Sequence, residues 1–239
     1  MNIIVSEDYD ALSQRVADDV KKIIEQKPTS LICIPSGDTP SGMYRQLSKD
    51  YNNGKLNIDQ TNFIGLDEWV GLNKEDKGSC GYYLHQFLLD PLNIKTEKYF
   101  LFDGKADDLQ HECTKAAAFI DEKGGIDLAI LGLGMNGHLG LNEPGVSPAL
   151  RVHVMQLEQT TKKVGQKYFD AETTLQEGIT IGLSLLMEAK TIFLLVSGNA
   201  KADILDKVLN GEISNKVPAS LLRNHSDCFV YIDKEAGRM

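Results

Sequence analysis

The chain has 239 residues, 42% of them hydrophobic, and a formal net charge of −9. That length suits one large α/β domain with a sizeable core. The acidic balance, with no Lys/Arg run longer than the pairs Lys21–Lys22 and Lys162–Lys163, argues against nucleic acid as a partner.

No apolar run reaches the roughly 18 residues of a membrane-spanning helix, and Met1–Asp8 has no basic stretch ahead of an apolar one. The expectation is a cytoplasmic protein without a membrane partner. Cys33, Cys80, Cys113 and Cys228 are widely spaced and read as reduced thiols. A single chain and a homo-oligomer both stay open.

In chain order, short apolar runs alternate with helical patterns. Strands are expected at Ile3–Val5, Leu31–Ile34, Phe63–Leu66, Leu128–Leu131, Ile192–Val196 and Phe229–Ile232. Helices are expected at about 8–26, 40–50, 79–89, 107–122, 157–168, 182–188 and 199–210. This alternation predicts a single-domain α/β fold, an open and mostly parallel sheet with helices on both faces, Rossmann-like but modified.

Such sheets bind ligands beyond the carboxyl ends of their strands. Four of the strands end in polar, acidic or glycine-containing turns: Pro35–Pro40, Asp67–Trp69, Gly132–Gly145 and Ser197–Lys201. A parallel sheet brings all four to one rim.

Gly132-x-Gly134-x-x-Gly137 matches the dinucleotide fingerprint in spacing, and Glu158 lies near the distance of a ribose-binding acid. The context fails, because Gly140, Asn142 and Pro144 break the helix such a turn must open into. His138 and Glu143 read as an acid–base pair, or as a histidine tied down structurally. Asp67 and Glu68 are equally open: either acid could cap a turn or act as a general base.

Ser36-Gly37-Asp38-Thr39-Pro40 reads as an anion site, with Thr39 as N-cap and Pro40 as first helical residue, or as an ordinary helix start. Lys201 is a second phosphate contact or a surface lysine.

Gly65–Leu72, Leu131–Gly145, Ser36–Pro40 and Ser197–Lys201 together resemble the glucosamine-6-phosphate deaminase/isomerase family, a relative of the 6-phosphogluconolactonases. The likeness covers nearly the whole chain. Trp69 where lactonases tend to have arginine, and Asn142-Glu143-Pro144, favour the deaminase branch.

Gly124–Leu128, Met135–Leu141, Glu177–Leu183 and Pro218–Ser220 look like the galactosamine-6-phosphate group within that branch. The resemblance implies one amino-sugar-phosphate deaminase/isomerase domain over residues 1–239, acting without metal or organic cofactor on a small-molecule amino-sugar phosphate. The expected reaction is galactosamine 6-phosphate to tagatose 6-phosphate plus ammonia. The alternatives are glucosamine 6-phosphate to fructose 6-phosphate plus ammonia, a lactone hydrolase, and a non-catalytic sugar-phosphate-binding regulator.

The resemblance makes Asp67 the base that moves the C2 proton to C1, His138 the group that opens the ring, and Glu143 its orienting partner. Asn136 stands where aspartate is usual, which leaves Glu143 as the one carboxylate of that set. Ser36, Gly37, Asp38 and Thr39, with Lys201 and Lys167, form the substrate and phosphate site.

Asp38 replaces a small residue and is a candidate reader of the C4 hydroxyl, while Lys167 replaces an arginine. Residues 145–175 are the lid candidate. The loss of basic residues across Arg151–Met155 implies an enzyme without allosteric activation.

Overall fold

Strands β2 (Leu31–Ile34) and β3 (Asn62–Gly65) are buried at every position, and β6 (Leu128–Gly132), β9 (Thr191–Val196) and β10 (Cys228–Asp233) at nearly every one. Strands buried on both faces are the signature of a parallel sheet with two helical layers. The structure is a computed structural model that describes residues 1–239.

With β1 (Asn2–Ser6) and β5 (Tyr99–Phe100), these strands form a seven-stranded, all-parallel sheet in the order β1-β10-β9-β6-β2-β3-β5.

The period-two alternation of side chains divides the core. Ile32, Ile34, Phe63, Ile130 and Leu195 face the layer holding α1 (Tyr9–Gln26), α2 (Asp38–Asn52) and α3 (Cys80–Leu84). Leu31, Cys33, Ile64, Leu131 and Leu194 face α4 (Leu109–Glu122), α6 (Leu183–Met187) and α7 (Ala202–Asn210). Asp8, Ser79 and Asp108 cap α1, α3 and α4 by accepting bonds from N–H groups of the first turn. A short helix, α8 (Lys234–Gly237), ends the chain.

A second sheet was not foreseen from the sequence. Strands β4 (Asp67–Trp69), β8 (Glu177–Ile181) and β7 (Val152–Gln156) pair antiparallel in that order. β4 has three residues and little apolar character, so no periodicity marked it. Leu66 joins the two sheets: its N–H donates to Ile34 of the main sheet, and its carbonyl accepts from Ile181 of the small one. Asp67 is thereby fixed at their junction.

Other boundaries differ locally. α2 begins at Asp38, with Gly37 (φ 112°) at its N-cap, so Thr39 and Pro40 fall inside the first turn. The positive φ that glycine adopts freely makes the sharp entry, and no side-chain cap is present. The helix expected at 79–89 is α3 followed by a wider turn over His85–Leu89. The one expected at 157–168 is α5 (Gln159–Gly165) with a tight 3₁₀ turn to Tyr168. A similar turn, Asn199–Lys201, precedes α7.

The strand order reverses direction between β2 and β6, which is where an open α/β sheet leaves a crevice at its carboxyl edge.

Candidate active site

The four strand-end turns do converge. They line a cavity of about 580 Å³ that holds Ser36–Ser41, Asp67, Gly132–Met135, His138, Ser197 and Lys201. The opposite wall comes from Thr160, Thr161, Val164, Lys167 and Tyr168, on or just after α5. The segment 145–175 thus contributes a strand, a helix and a wall of the cavity.

β4 separates Asp67 from Glu68 by alternation. Asp67 lines the cavity. Glu68 points away and caps α3, accepting from Trp69 N at 2.8 Å, Cys80 N at 2.9 Å and Gly81 N at 2.7 Å. The ambiguity between the two acids is resolved by this geometry: Glu68 is structural.

Burial lifts the Asp67 carboxyl to about 6, against a hydrogen bond from Cys80 and the charge of His138, which pull it down. Burial likewise lifts Glu68 to about 7, opposed by its three N–H donors.

The loop after β6 explains its own glycines, and it carries no helix of the dinucleotide-binding kind. A Cβ on Gly134 would lie 2.0 Å from His138 Cδ2, so glycine makes room for the imidazole. Gly137 has φ 86°. His138 Nδ1 lies 3.3 Å from Glu143 Oε2 and 3.1 Å from Thr161 Oγ1.

Glu143 is almost fully buried. Burial alone would raise its carboxyl, but the hydrogen bond and charge of His138, with Thr161 and Asn136, overcome this and hold it below the usual range. The Asn136 amide donates to Glu143 Oε2 at 2.7 Å and to Glu158 Oε2 at 2.8 Å. Glu143 is the carboxylate bonded to the imidazole, and the Asn136 amide links it to a second, Glu158.

On the far side, Ser36 and Gly37 precede the first turn of α2, whose leading N–H groups have no partner within the helix. Lys201 Nζ donates to the Leu133 carbonyl at 2.5 Å. Burial, and then the nearby charge of Lys167, lower its ammonium to about 8.

Asp38 and Lys167, both expected to meet substrate, line the cavity and bond each other at 2.6 Å across its mouth. A positive partner neutralises Asp38, and one of its carboxylate oxygens is already engaged. Tyr83 Oη donates to the Gly37 carbonyl at 2.5 Å, and the Tyr168 hydroxyl lies 3.2 Å from where a Gly37 Cβ would stand. Ser197 and the Gly198 N–H both donate to the buried Asp233, which sets the turn leading to Lys201.

Sequence reasoning missed Cys80, Thr161 and Tyr168, and assigned Glu158 only to the rejected nucleotide reading. No local signal identifies the first three. Each reaches the site through tertiary contacts across 13 or more residues of chain.

The strand-end cavity holds a buried carboxylate, Asp67, within the field of the His138 imidazole, an arrangement suited to acid–base chemistry in an open α/β fold. The family profile described as glucosamine-6-phosphate isomerases/6-phosphogluconolactonase matches residues 6–231, and the chain belongs to that family.

It is 38% identical over 240 residues to the glucosamine-6-phosphate deaminase of Thermoanaerobacter sp. (strain X514), covering 100% of this chain and 95% of that one. A solved monomeric glucosamine-6-phosphate deaminase superposes with a TM-score of 0.96 at 35% identity, covering 100% and 99%. The 6-phosphogluconolactonase of Trypanosoma brucei shares the fold, with a TM-score of 0.78 at 20% identity, covering 99% and 97%.

Proposed function

We propose that the protein converts glucosamine 6-phosphate to fructose 6-phosphate and ammonia. The observation that carries this is the pairing of two groups in one cavity: the Asp67 carboxylate, lifted to about 6 by burial, and the His138 imidazole held by Glu143. A carboxylate poised near neutrality suits abstraction of a carbon-bound proton.

The substrate phosphate sits on the N–H groups of Ser36 to Thr39 and on Lys201. Lys167 stays paired with Asp38 at the cavity mouth, so its charge reaches the phosphate at longer range, without the bidentate fork of an arginine. His138 moves a proton at the ring oxygen and opens the sugar to its aldehyde. Asp67 takes the proton from C2, giving an enolamine, and returns it to C1, giving a ketimine. Water adds at C2 and the nitrogen leaves as ammonia.

The glucosamine epimer is favoured over galactosamine for two reasons. The relatives at 35–38% identity are named for it. The candidate reader of an axial C4 hydroxyl, Asp38, is occupied by Lys167.

The test compares kcat/KM for ammonia release from the two epimers, with 6-phosphogluconolactone hydrolysis as a third arm. Preference for glucosamine 6-phosphate is expected. Preference for galactosamine 6-phosphate, lost in Asp38→Gly, would restore Asp38 as the reader of the sugar. Lactone hydrolysis without ammonia release would overturn the deaminase reading.

A further inference from the structure

Asn136 is held in one orientation. Its Oδ1 accepts the His138 backbone N–H at 3.2 Å, so its NH₂ group must face the other way. There both amide protons are used, one on Glu143 Oε2 and one on Glu158 Oε2. Glu143 Oε2 is also the atom nearest His138 Nδ1. A continuous path of hydrogen bonds therefore runs from Glu158 through an amide and a second carboxylate to the imidazole.

The first turn of α5 touches the same group twice more. The Glu158 N–H donates to Glu143 Oε1 at 3.3 Å, and the Thr161 hydroxyl meets His138 Nδ1.

We infer that Glu158, acting through the Asn136 amide, is a positioning residue for the His138–Glu143 pair, and that its presence makes asparagine the required residue at 136. An aspartate there would offer no proton to either glutamate, and three carboxylates would meet with no donor between them. With the amide in place, Glu158 supplies at one remove the negative charge that aspartate would carry, and it anchors the cavity wall to the histidine. Glu158 is exposed, so its charge acts through solvent screening and its effect is modest. The inference rests on the deaminase reading above.

The test is a double-mutant cycle read by ammonia release in the full chain. Glu158→Gln keeps an acceptor and removes the charge; kcat should fall about threefold with KM unchanged, and the deficit should shrink as salt is raised. Asn136→Asp should lose about tenfold or more. The double variant Asn136→Asp/Glu158→Gln should recover most of that loss, because one of the three carboxylates is gone.

A Glu158→Gln enzyme with unchanged kcat at low salt would overturn the inference, as would a double variant no better than Asn136→Asp. A wild type that releases no ammonia from either epimer would instead sink the deaminase reading. Thermal unfolding of Glu158→Gln, a surface isosteric change, should match wild type.

Discussion

Cys80→Ala probes the carboxylate on which the proposed chemistry depends. Burial moves Asp67 from an ordinary 3.8 to about 6. At 1.36 kcal/mol per tenfold change, that is about 3 kcal/mol against the charged form. The base must be ionised to accept the C2 proton, so kcat/KM, which reports the free enzyme, should fall as the pH drops through about 6. Between pH 7 and 5 the loss should be about tenfold, where a carboxyl at 3.8 would lose almost nothing.

The substrate phosphate also titrates near pH 6, so a limb at that position does not by itself identify Asp67. Cys80 removes the confusion. Its thiol hydrogen-bonds Asp67 and pulls the carboxyl down. Alanine deletes that bond, and the acid limb should move to higher pH, while a limb belonging to the phosphate would stay fixed. The assay is kcat/KM for ammonia release from pH 5 to 8.5 in both proteins. A flat wild-type profile down to pH 5, or a limb unmoved by Cys80→Ala, would refute the assignment.

Asp67→Asn should cut C2 proton exchange by about 10²- to 10⁴-fold while sugar-phosphate binding persists; substantial exchange in that variant would point to another base. Gly134→Ala should lower kcat about 100-fold with a native fold, because the new Cβ would overlap His138 Cδ2 and turn the ring; wild-type kcat would show that the ring has another place to sit. Lys201→Ala should raise KM about tenfold to 100-fold with kcat retained. The same change should abolish an alkaline fall in kcat/KM, which in wild type follows loss of the Lys201 proton through about 8.

Asp127 is buried and bonds Lys27, Lys190 and the Leu31 N–H. Asp127→Ala should cost about 2–4 kcal/mol in denaturant unfolding. Burial alone would raise the Asp127 carboxyl, but its partners hold it below the usual range. This stabilisation is therefore present at neutral pH and lost as the pH falls below about 4. Equal stability of wild type and variant at pH 7 would refute it.

The sequence by itself determined the parallel sheet. Runs such as Leu31–Ile34 and Ile192–Val196 are apolar at consecutive positions, and only a strand covered on both faces hides all of them. The same logic carried the polar residues after those strands to one rim, and so brought Ser36, Asp67, His138 and Lys201 to a common cavity.

Tertiary structure decided what no local pattern encodes. The small sheet depends on β4 pairing with β8 across more than 100 residues of chain, and only that pairing sends Asp67 into the cavity and Glu68 to the α3 cap. Asp38 looked free to read the sugar and Lys167 to bind its phosphate, but their meeting depends on how the turn after α5 lies against the start of α2, 129 residues away. The role of Asn136 is of the same kind. Its amide reads as a lost charge in the sequence, and becomes the one donor two carboxylates can share when α5 brings Glu158 beside it.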